Sequence, residues 1–298
     1  MYQQTLFDDN ELTRVVNVAS VPQRSPFRYP GGKTWLVPQI RRWLWSKKTK
    51  PAEFIEPFAG GGIVGLTVAA EKMAGHVTMV ELDGEIAAVW RTILEGEAEW
   101  LAERILNFRL SREGLEKELH KESRSTREKA FQTLLKNRTF HGGILAPGSR
   151  PIRNGENGRG ILSRWYPETL AKRILNIATI RDRISFIHGD GIQVIRKAAR
   201  DSDTVFFIDP PYTASGKKAG RRLYTCFDID HEKLFEEVSK VSGDFLMTYD
   251  DAPGVRELAL KHRLDMALVA MKNTHHAKMS ELLIGRKLDW ARSRKDLV

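Results

Sequence analysis

Cysteine is almost absent from this chain of 298 residues, which contains only Cys226. A single cysteine excludes an internal disulfide framework and a zinc site built on cysteines, and it is compatible with a reducing cytosol. No stretch approaches 18 uninterrupted apolar residues, so the sequence predicts no membrane span. The opening segment MYQQTLFDDN is polar and acidic, whereas a secretory signal is basic and then apolar. We therefore expect no secretory leader.

Acidic residues are too few to balance the basic ones, because 38 Asp and Glu stand against 48 Lys and Arg. The imbalance is local. Residues 14–50 contain nine basic and no acidic residues, and residues 109–183 contain 17 basic and eight acidic ones. This distribution favours a polyanionic partner such as nucleic acid. A solvated basic loop would give a similar count and remains the alternative.

The apolar pattern predicts strands that alternate with helices. Runs at 53–58 and 76–83 are each followed by a helical pattern, and runs at 184–190, 204–212 and 244–251 repeat this order. Two final strands, DMALVAM and ELLIGRK, could form a hairpin. Alternation of this kind is typical of a parallel, doubly wound sheet.

The stretch from about 105 to 170 interrupts the alternation with a charged helical part and a turn-rich part, NRTFHGGILAPGSRPIRNGENGRG. We therefore predict an α/β domain made of residues 1–105 and 171–298, with an insert at 106–170.

A cluster of glycines follows the first predicted strand in the sequence Glu56-Pro57-Phe58-Ala59-Gly60-Gly61-Gly62. Glycines at such a turn let the backbone approach a ligand at the carboxyl edge of the sheet. A carboxylate beside the loop disfavours a phosphate ligand and favours a cationic one. Glu81, at the end of the second strand, is placed to accept two ribose hydroxyls. A tight glycine turn with a capping acid, or a dinucleotide-type G-x-G-x-x-G loop, would be the simpler interpretations.

A second motif, Asp209-Pro210-Pro211-Tyr212, follows the apolar run VFFI. Proline cannot continue a central strand, so the chain must leave the sheet there. The free carbonyls and the Asp209 carboxylate can accept hydrogen bonds, and the Tyr212 ring offers a stacking surface. Two acceptors beside a flat ring suit an exocyclic amine on a planar heterocycle. An ordinary turn at a strand end is the alternative.

These motifs resemble the Dam-type, D12 class of N6-adenine DNA methyltransferases. The resemblance rests on ordered segments from about residue 26 to 288, namely FRYPGGK, FIEPFAGGG, VELD, HGD and DPPY, with NRTFHGG and SELLIG in addition. It implies a Rossmann-like S-adenosylmethionine-dependent methyltransferase sheet with an inserted, mostly helical and loop-rich target-recognition domain at 106–170. NRTFHGGILAP matches the Dam-type recognition segment only in part, so the resemblance does not imply a GATC site.

The resemblance also implies roles for individual residues. Lys33 would lie near the carboxylate of S-adenosylmethionine, Glu81 on its ribose and Asp190 beside its adenine ring. The full set implied to bind the cofactor is Tyr29, Gly31, Gly32, Lys33, Glu56, Phe58, Gly60, Gly62, Glu81 and Asp190. The catalytic set is Asp209, Pro210, Pro211 and Tyr212. No metal is expected, since neither acids nor cysteines at ligand spacing accompany the pair His275 and His276.

Double-stranded DNA is the expected partner, contacted by basic residues of the insert and of the segment after the catalytic turn. The candidates are Arg138, Arg150, Arg153, Arg159, Arg164, Lys217, Lys218, Arg221 and Arg222. Most such side chains touch phosphate and a few read bases. We expect a monomer without a membrane partner, acting on bacterial DNA in the cytoplasm. It would serve a restriction-modification system with a cognate endonuclease, a phage, or a housekeeping role.

Two classes of alternative function remain open from the residues alone. One is a methyltransferase for another amine, such as N4 of cytosine, adenine in RNA or a side-chain amide, because the same acceptors serve any planar amine. The other is a non-catalytic DNA-binding module that has kept the fold. The intact DPPY and glycine motifs favour catalysis, and the basic insert disfavours a small or protein substrate.

Overall fold

A seven-stranded mixed sheet forms the centre of the molecule. The computed structural model describes residues 16–29, 31–211, 225, 228–272 and 278–292. Its strands are β1 Glu53–Glu56, β2 His76–Glu81, β3 Ile184–His188, β4 Thr204–Ile208, β5 Asp244–Asp250, β6 Asp265–Lys272 and β7 Lys278–Gly285. The strand order is β3-β2-β1-β4-β5-β7-β6, and β7 runs in the direction opposite to the other six strands. This order confirms the predicted Rossmann-like sheet and the closing hairpin.

Helices cover both faces of the sheet. In chain order they are α1 Val37–Trp45, α2 Ile63–Ala70, α3 Gly84–Leu94, α4 Ala98–Asn107, α5 Arg112–His120, α6 Thr126–Thr139, α7 Pro167–Ala178, α8 Gly191–Ala198, α9 His231–Ser239, α10 Pro253–Lys261 and α11 Asp289–Arg292. Among the residues described, none of these helices has the length and apolarity needed to cross a membrane.

Strand β4 shows why the central strands read as continuous apolar runs. Val205 and Phe207 belong to the cluster on one face of the sheet, and Phe206 and Ile208 belong to the cluster on the other. In a strand that is covered on both faces, all side chains are buried, so apolar and polar residues do not alternate along its sequence. The run ends at Ile208 because Asp209 and the two prolines that follow turn out of the sheet.

The predicted insert shares the core of the sheet domain. Phe131 and Leu134 of α6 and Trp165 lie in the same buried cluster as Phe54 and Phe207 of the sheet. Helix α6 packs against α3, and α7 packs against α4. Residues 106–170 therefore have apolar continuity with the catalytic part, and their role as a separate recognition domain stays a prediction.

Replacing Phe206 with Ala should lower the free energy of unfolding by about 3–5 kcal/mol, because it leaves a cavity in the central strand. Phe206 is fully buried. Denaturant unfolding measures the change. Leu260→Ala is the control, since the Leu260 side chain is 66% exposed and its loss should cost less than about 0.5 kcal/mol. An equal decrease in the free energy of unfolding in the two variants would contradict the packing described for β4.

Candidate active site

The carboxyl ends of β1, β2, β3 and β4 meet at one cavity of about 540 Å³. Open α/β sheets bind ligands at this edge, and the volume is in the range of small-molecule sites. The sequence-predicted residues that line the cavity are Tyr29, Gly32, Lys33, Glu56, Phe58, Gly60, Gly62, Glu81, Asp190, Asp209, Pro210 and Pro211. Gly31 is next to this lining but is not part of it. Tyr212, Lys217, Lys218, Arg221 and Arg222 lie outside the described residues.

The glycine loop after β1 has a geometry that other residues cannot adopt without strain. Gly60 and Gly62 have φ values of +47° and +63°. A Cβ on Gly60 would lie 2.6 Å from the ring of Tyr29, and one on Gly62 would lie 2.4 Å from Met79. The Trp90 indole N–H donates to the Gly60 carbonyl at 2.9 Å. The backbone of Gly60 is thus packed directly against the ring of Tyr29 at the cavity wall.

Glu81 connects the end of β2 to this loop. Its Oε2 accepts the Gly60 N–H at 2.9 Å, and its Oε1 accepts the Asp83 N–H at 2.8 Å. Burial raises the pKa of Glu81 to about 7. Each carboxylate oxygen can accept a further hydrogen bond, so the predicted contact with two hydroxyls is compatible with these bonds.

Asp190 begins helix α8. Its Oδ1 accepts the Ile192 N–H at 2.8 Å, which is an N-terminal cap. Gly191 follows it, and a Cβ there would lie 2.1 Å from the Pro57 carbonyl oxygen. The chain after β3 is therefore packed against the chain after β1, and Asp190 reaches the cavity from this position.

Glu56 is a buried acid at the base of the same loop. Its Oε2 accepts the Gly65 N–H at 2.8 Å. Burial raises its pKa to about 8, and the nearby carboxylates of Asp209 and Glu81 add to the effect. The cavity therefore has a cluster of carboxyl groups on one side, in which Glu56 keeps its proton up to about pH 8.

Asp209 is held by residues from two distant parts of the chain. Its Oδ1 lies 2.9 Å from Lys33 Nζ and accepts the Thr248 hydroxyl at 2.7 Å. Lys33 is 3% exposed, and its Nζ also lies 3.6 Å from Glu281 Oε2 and donates to the Gly31 carbonyl at 3.0 Å. Lys33 thus contacts the turn after β4 while it also lines the cavity, and its place beside a cofactor carboxylate stays a prediction.

Thr248 and Glu281 are site residues that sequence reasoning did not select. Thr248 lies on β5, and Glu281 pairs in register with Asp250 on the antiparallel strand β7. Burial raises the pKa of Glu281 to about 7, while Lys33 acts in the opposite direction. The only sequence feature that pointed here was the resemblance of SELLIG, which contains Glu281.

The predicted DNA-contacting arginines are divided between surface and interior. Arg150, Arg153 and Arg159 are exposed, and Arg164 is partly exposed and paired with Glu156. Arg138 corrects the expectation, because it is only 7% exposed and its guanidinium donates to the Pro26 carbonyl. Helix α6 continues to Thr139 and buries its last turn, which includes Arg138.

Comparisons with known proteins agree with these motifs. The family model for D12 class N6 adenine-specific DNA methyltransferases matches residues 29–272. A DNA N-6-adenine-methyltransferase of Escherichia phage P1 is 27% identical over 257 residues, which are 82% of this chain and 32% of the relative. The chain therefore spans about a third of the length of this relative.

Two solved structures are also similar to this chain. A methyltransferase from Geobacter sulfurreducens is 13% identical, with a TM-score of 0.37 over 85% of this chain and 77% of its own. An rRNA methyltransferase from Streptomyces viridochromogenes is 14% identical, with a TM-score of 0.39 over 88% of each chain.

Replacing Glu56 with Gln should raise stability at pH 8 and leave it nearly unchanged at pH 5. Below the ordinary pKa of 4.5 the group is neutral in both states, and between 4.5 and about 8 only the folded protein keeps the proton. Stability in the wild type is therefore lost as pH rises through this window, at up to about 1.4 kcal/mol per pH unit for this group. Unfolding curves at several pH values measure the difference.

Glu237→Gln is the matched control, because the bond to Arg196 lowers the pKa of Glu237. That variant should be less stable than the wild type at neutral pH and should approach it in acid. Parallel pH profiles for the wild type and Glu56→Gln would contradict the buried, proton-retaining state of Glu56.

Proposed function

The chain belongs to the family of D12 class N6 adenine-specific DNA methyltransferases, and we propose that it transfers a methyl group from S-adenosylmethionine to N6 of an adenine in duplex DNA. The observation that carries this proposal is the position of Asp209. Its carboxylate lies on the same cavity as the glycine loop, fixed by Lys33 and Thr248. One cavity therefore offers a cofactor-type loop and an amine acceptor side by side.

The residues around the cavity fit S-adenosylmethionine. Gly60 and Gly62 present backbone where a side chain would clash, and the Glu81 carboxylate can accept the ribose hydroxyls. Asp190 would bind the amino group of the cofactor's adenine, with Tyr29 and Phe58 as apolar walls and Gly31 and Gly32 at the opening. A positive centre on the ligand would favour the ionised forms of Glu56 and Glu81, whose pKa values burial raises. When bound, the cofactor supplies an electrophilic methyl group on a sulfonium.

Asp209 and the Pro210 carbonyl are assigned to the target amine. Both accept its N–H bonds, which orients the nitrogen lone pair and stabilises the positive charge that grows on nitrogen. Lys33 and Thr248 hold the carboxylate in place before substrate arrives, so orientation costs little during reaction. Pro211 fixes the turn. Tyr212 is proposed to stack on the base.

The substrate base must leave the duplex to reach this turn. Flipping costs a few kcal/mol, which stacking and phosphate contacts offset. The exposed Arg150, Arg153 and Arg159 are assigned to the DNA backbone. The phage P1 relative, a DNA N-6-adenine-methyltransferase, favours bacterial or phage DNA as the substrate. The enzyme would serve a restriction-modification system, a phage or a housekeeping role.

Asp209→Ala should abolish methyl transfer to duplex DNA while leaving affinity for S-adenosylmethionine within about threefold. The reason is that Asp209 is assigned to the amine and Glu81 with the glycine loop to the cofactor. Transfer of labelled methyl groups and calorimetric cofactor binding measure the two effects. Asp182→Ala is the control, since Asp182 is fully exposed and precedes β3 at the opposite edge of the sheet. Equal loss of binding and transfer would contradict the division of roles.

Thr248→Val should lower kcat at least about tenfold with little change in cofactor affinity. The substitution keeps the side-chain volume and removes the hydroxyl that donates to the Asp209 carboxylate, a bond to a charged group. Thr92→Val is the matched control. Its buried hydroxyl donates to the Ala88 carbonyl within α3. A higher KM for the cofactor with unchanged kcat would reject the positioning role of Thr248.

A further inference from the structure

Three arginines from separate segments of the chain lie together beside the cavity. Arg28 precedes the PGGK segment, Arg138 lies in the last turn of α6 and Arg173 lies on α7. We call them the arginine cluster. Burial lowers the pKa of Arg138 to about 9, with the charges of Arg173 and Arg28 as the next causes. The hydrogen bonds give the geometry: the guanidinium groups of Arg138 and Arg173 donate to the carbonyls of the adjacent residues Pro26 and Ser25, which lie two and three positions before Arg28.

No carboxylate neutralises the arginine cluster among the residues that the structure describes. Two of its members donate to backbone carbonyls, Arg138 to Pro26 and Arg173 to Ser25 at 3.1 Å. Within the same described part, Arg28 Nη1 and Arg138 Nε are buried without a hydrogen-bond partner. Buried cations without an anion are costly, and such atoms require an explanation.

Arg41, a half-buried arginine elsewhere in this chain, is paired with a carboxylate. Its Nε and Nη2 donate to the two carboxylate oxygens of Glu71 at 2.7 and 2.6 Å. The protein thus pairs this arginine in the usual bidentate way. The arginine cluster is the exception, and its two members that line the cavity, Arg28 and Arg173, are only partly buried and can meet an anion from outside the chain.

The position of the arginine cluster indicates which anion it takes. Arg28 and Arg173 line the same cavity as Asp209. The backbone of Arg28 is fixed by Asn137, whose side chain accepts its N–H at 2.8 Å and donates to its carbonyl at 2.9 Å. Asn137 and Arg138 both belong to the basic insert at 106–170. The cluster therefore joins the candidate catalytic cavity to the insert.

We infer that Arg28 and Arg173, backed by Arg138, bind a backbone phosphate of the DNA strand that carries the target base. This inference rests on the proposed function and adds a subsite to it. A guanidinium fork matches phosphate geometry, and a strand whose nucleotide has been turned out of the duplex must bring its phosphates to the cavity mouth. The carboxylate of S-adenosylmethionine is the competing anion, and the experiment separates the two.

The test compares Arg28→Gln and Arg173→Gln with Arg200→Gln. Arg200 is exposed between α8 and β4, at the opposite edge of the sheet. Fluorescence anisotropy of a labelled mixed-sequence duplex gives the binding constant as a function of NaCl concentration. Each cluster variant should weaken binding and reduce the slope of log K against log[salt] by up to about 0.9, the value for the complete loss of one phosphate contact. Arg200→Gln should keep the wild-type slope.

Two further readouts separate this role from a structural one and from cofactor binding. Removing one member of a self-repelling cluster should leave Tm unchanged or raise it, and calorimetric affinity for S-adenosylmethionine should change less than about twofold. An unchanged salt slope in both variants overturns the inference. So does a loss of cofactor affinity with normal DNA binding, or a fall of Tm with parallel loss of both ligands. Arg28→Lys, which keeps the charge, should recover most of the slope.

Failure of the proposed function would give a different result. If the wild type transfers no methyl group to DNA but shows the cluster-dependent salt slope, the enzyme assignment fails and the phosphate site stands. If methyl transfer occurs and the slope does not depend on the arginine cluster, the phosphate site fails and the enzyme assignment stands.

Discussion

Lys33 is a buried cation at the carboxyl edge of the sheet, and its contact with Asp209 ties the segment before α1 to the turn that follows β4. A buried ammonium is stable only while its charge is compensated, and removal of a partner typically costs about 3–5 kcal/mol. Glu281 on β7 provides a second carboxylate 3.6 Å away. The antiparallel strand at the end of the chain thus helps to hold the cavity wall, and Asp209 is oriented before any substrate enters.

Charge is divided across the cavity in a way that fits two different ligands. Glu56 and Glu81 stand by the glycine loop, where burial raises the pKa of both. Arg28 and Arg173 stand elsewhere on the lining without carboxylate partners among the residues described. The acidic part suits a cofactor with a positive centre, and the basic part suits a polyanionic strand. Asp209, on the same lining, would face both.

Much of this arrangement could be predicted from local sequence. The apolar runs predicted the strands, and the prolines after Asp209 predicted where β4 ends, because these features act on their own neighbours. The partners of Lys33 could not be predicted, since Asp209 and Glu281 reach it only through strand order and the register of β7. Arg138 was predicted to contact DNA because it lies in the basic insert, whereas the packing of α6 buries it.

The most direct test of the account is the identity of the methylated base. Purified protein would be incubated with S-adenosylmethionine and duplex DNA from a host without adenine methylation, and the DNA would be digested to nucleosides and analysed by mass spectrometry. The proposed function predicts N6-methyladenine as the product. N4-methylcytosine would contradict adenine as the target base, but the assignment of Asp209 and the Pro210 carbonyl to an amine would stand. No methylated nucleoside, despite a shift of Tm with the cofactor, would contradict DNA as the substrate.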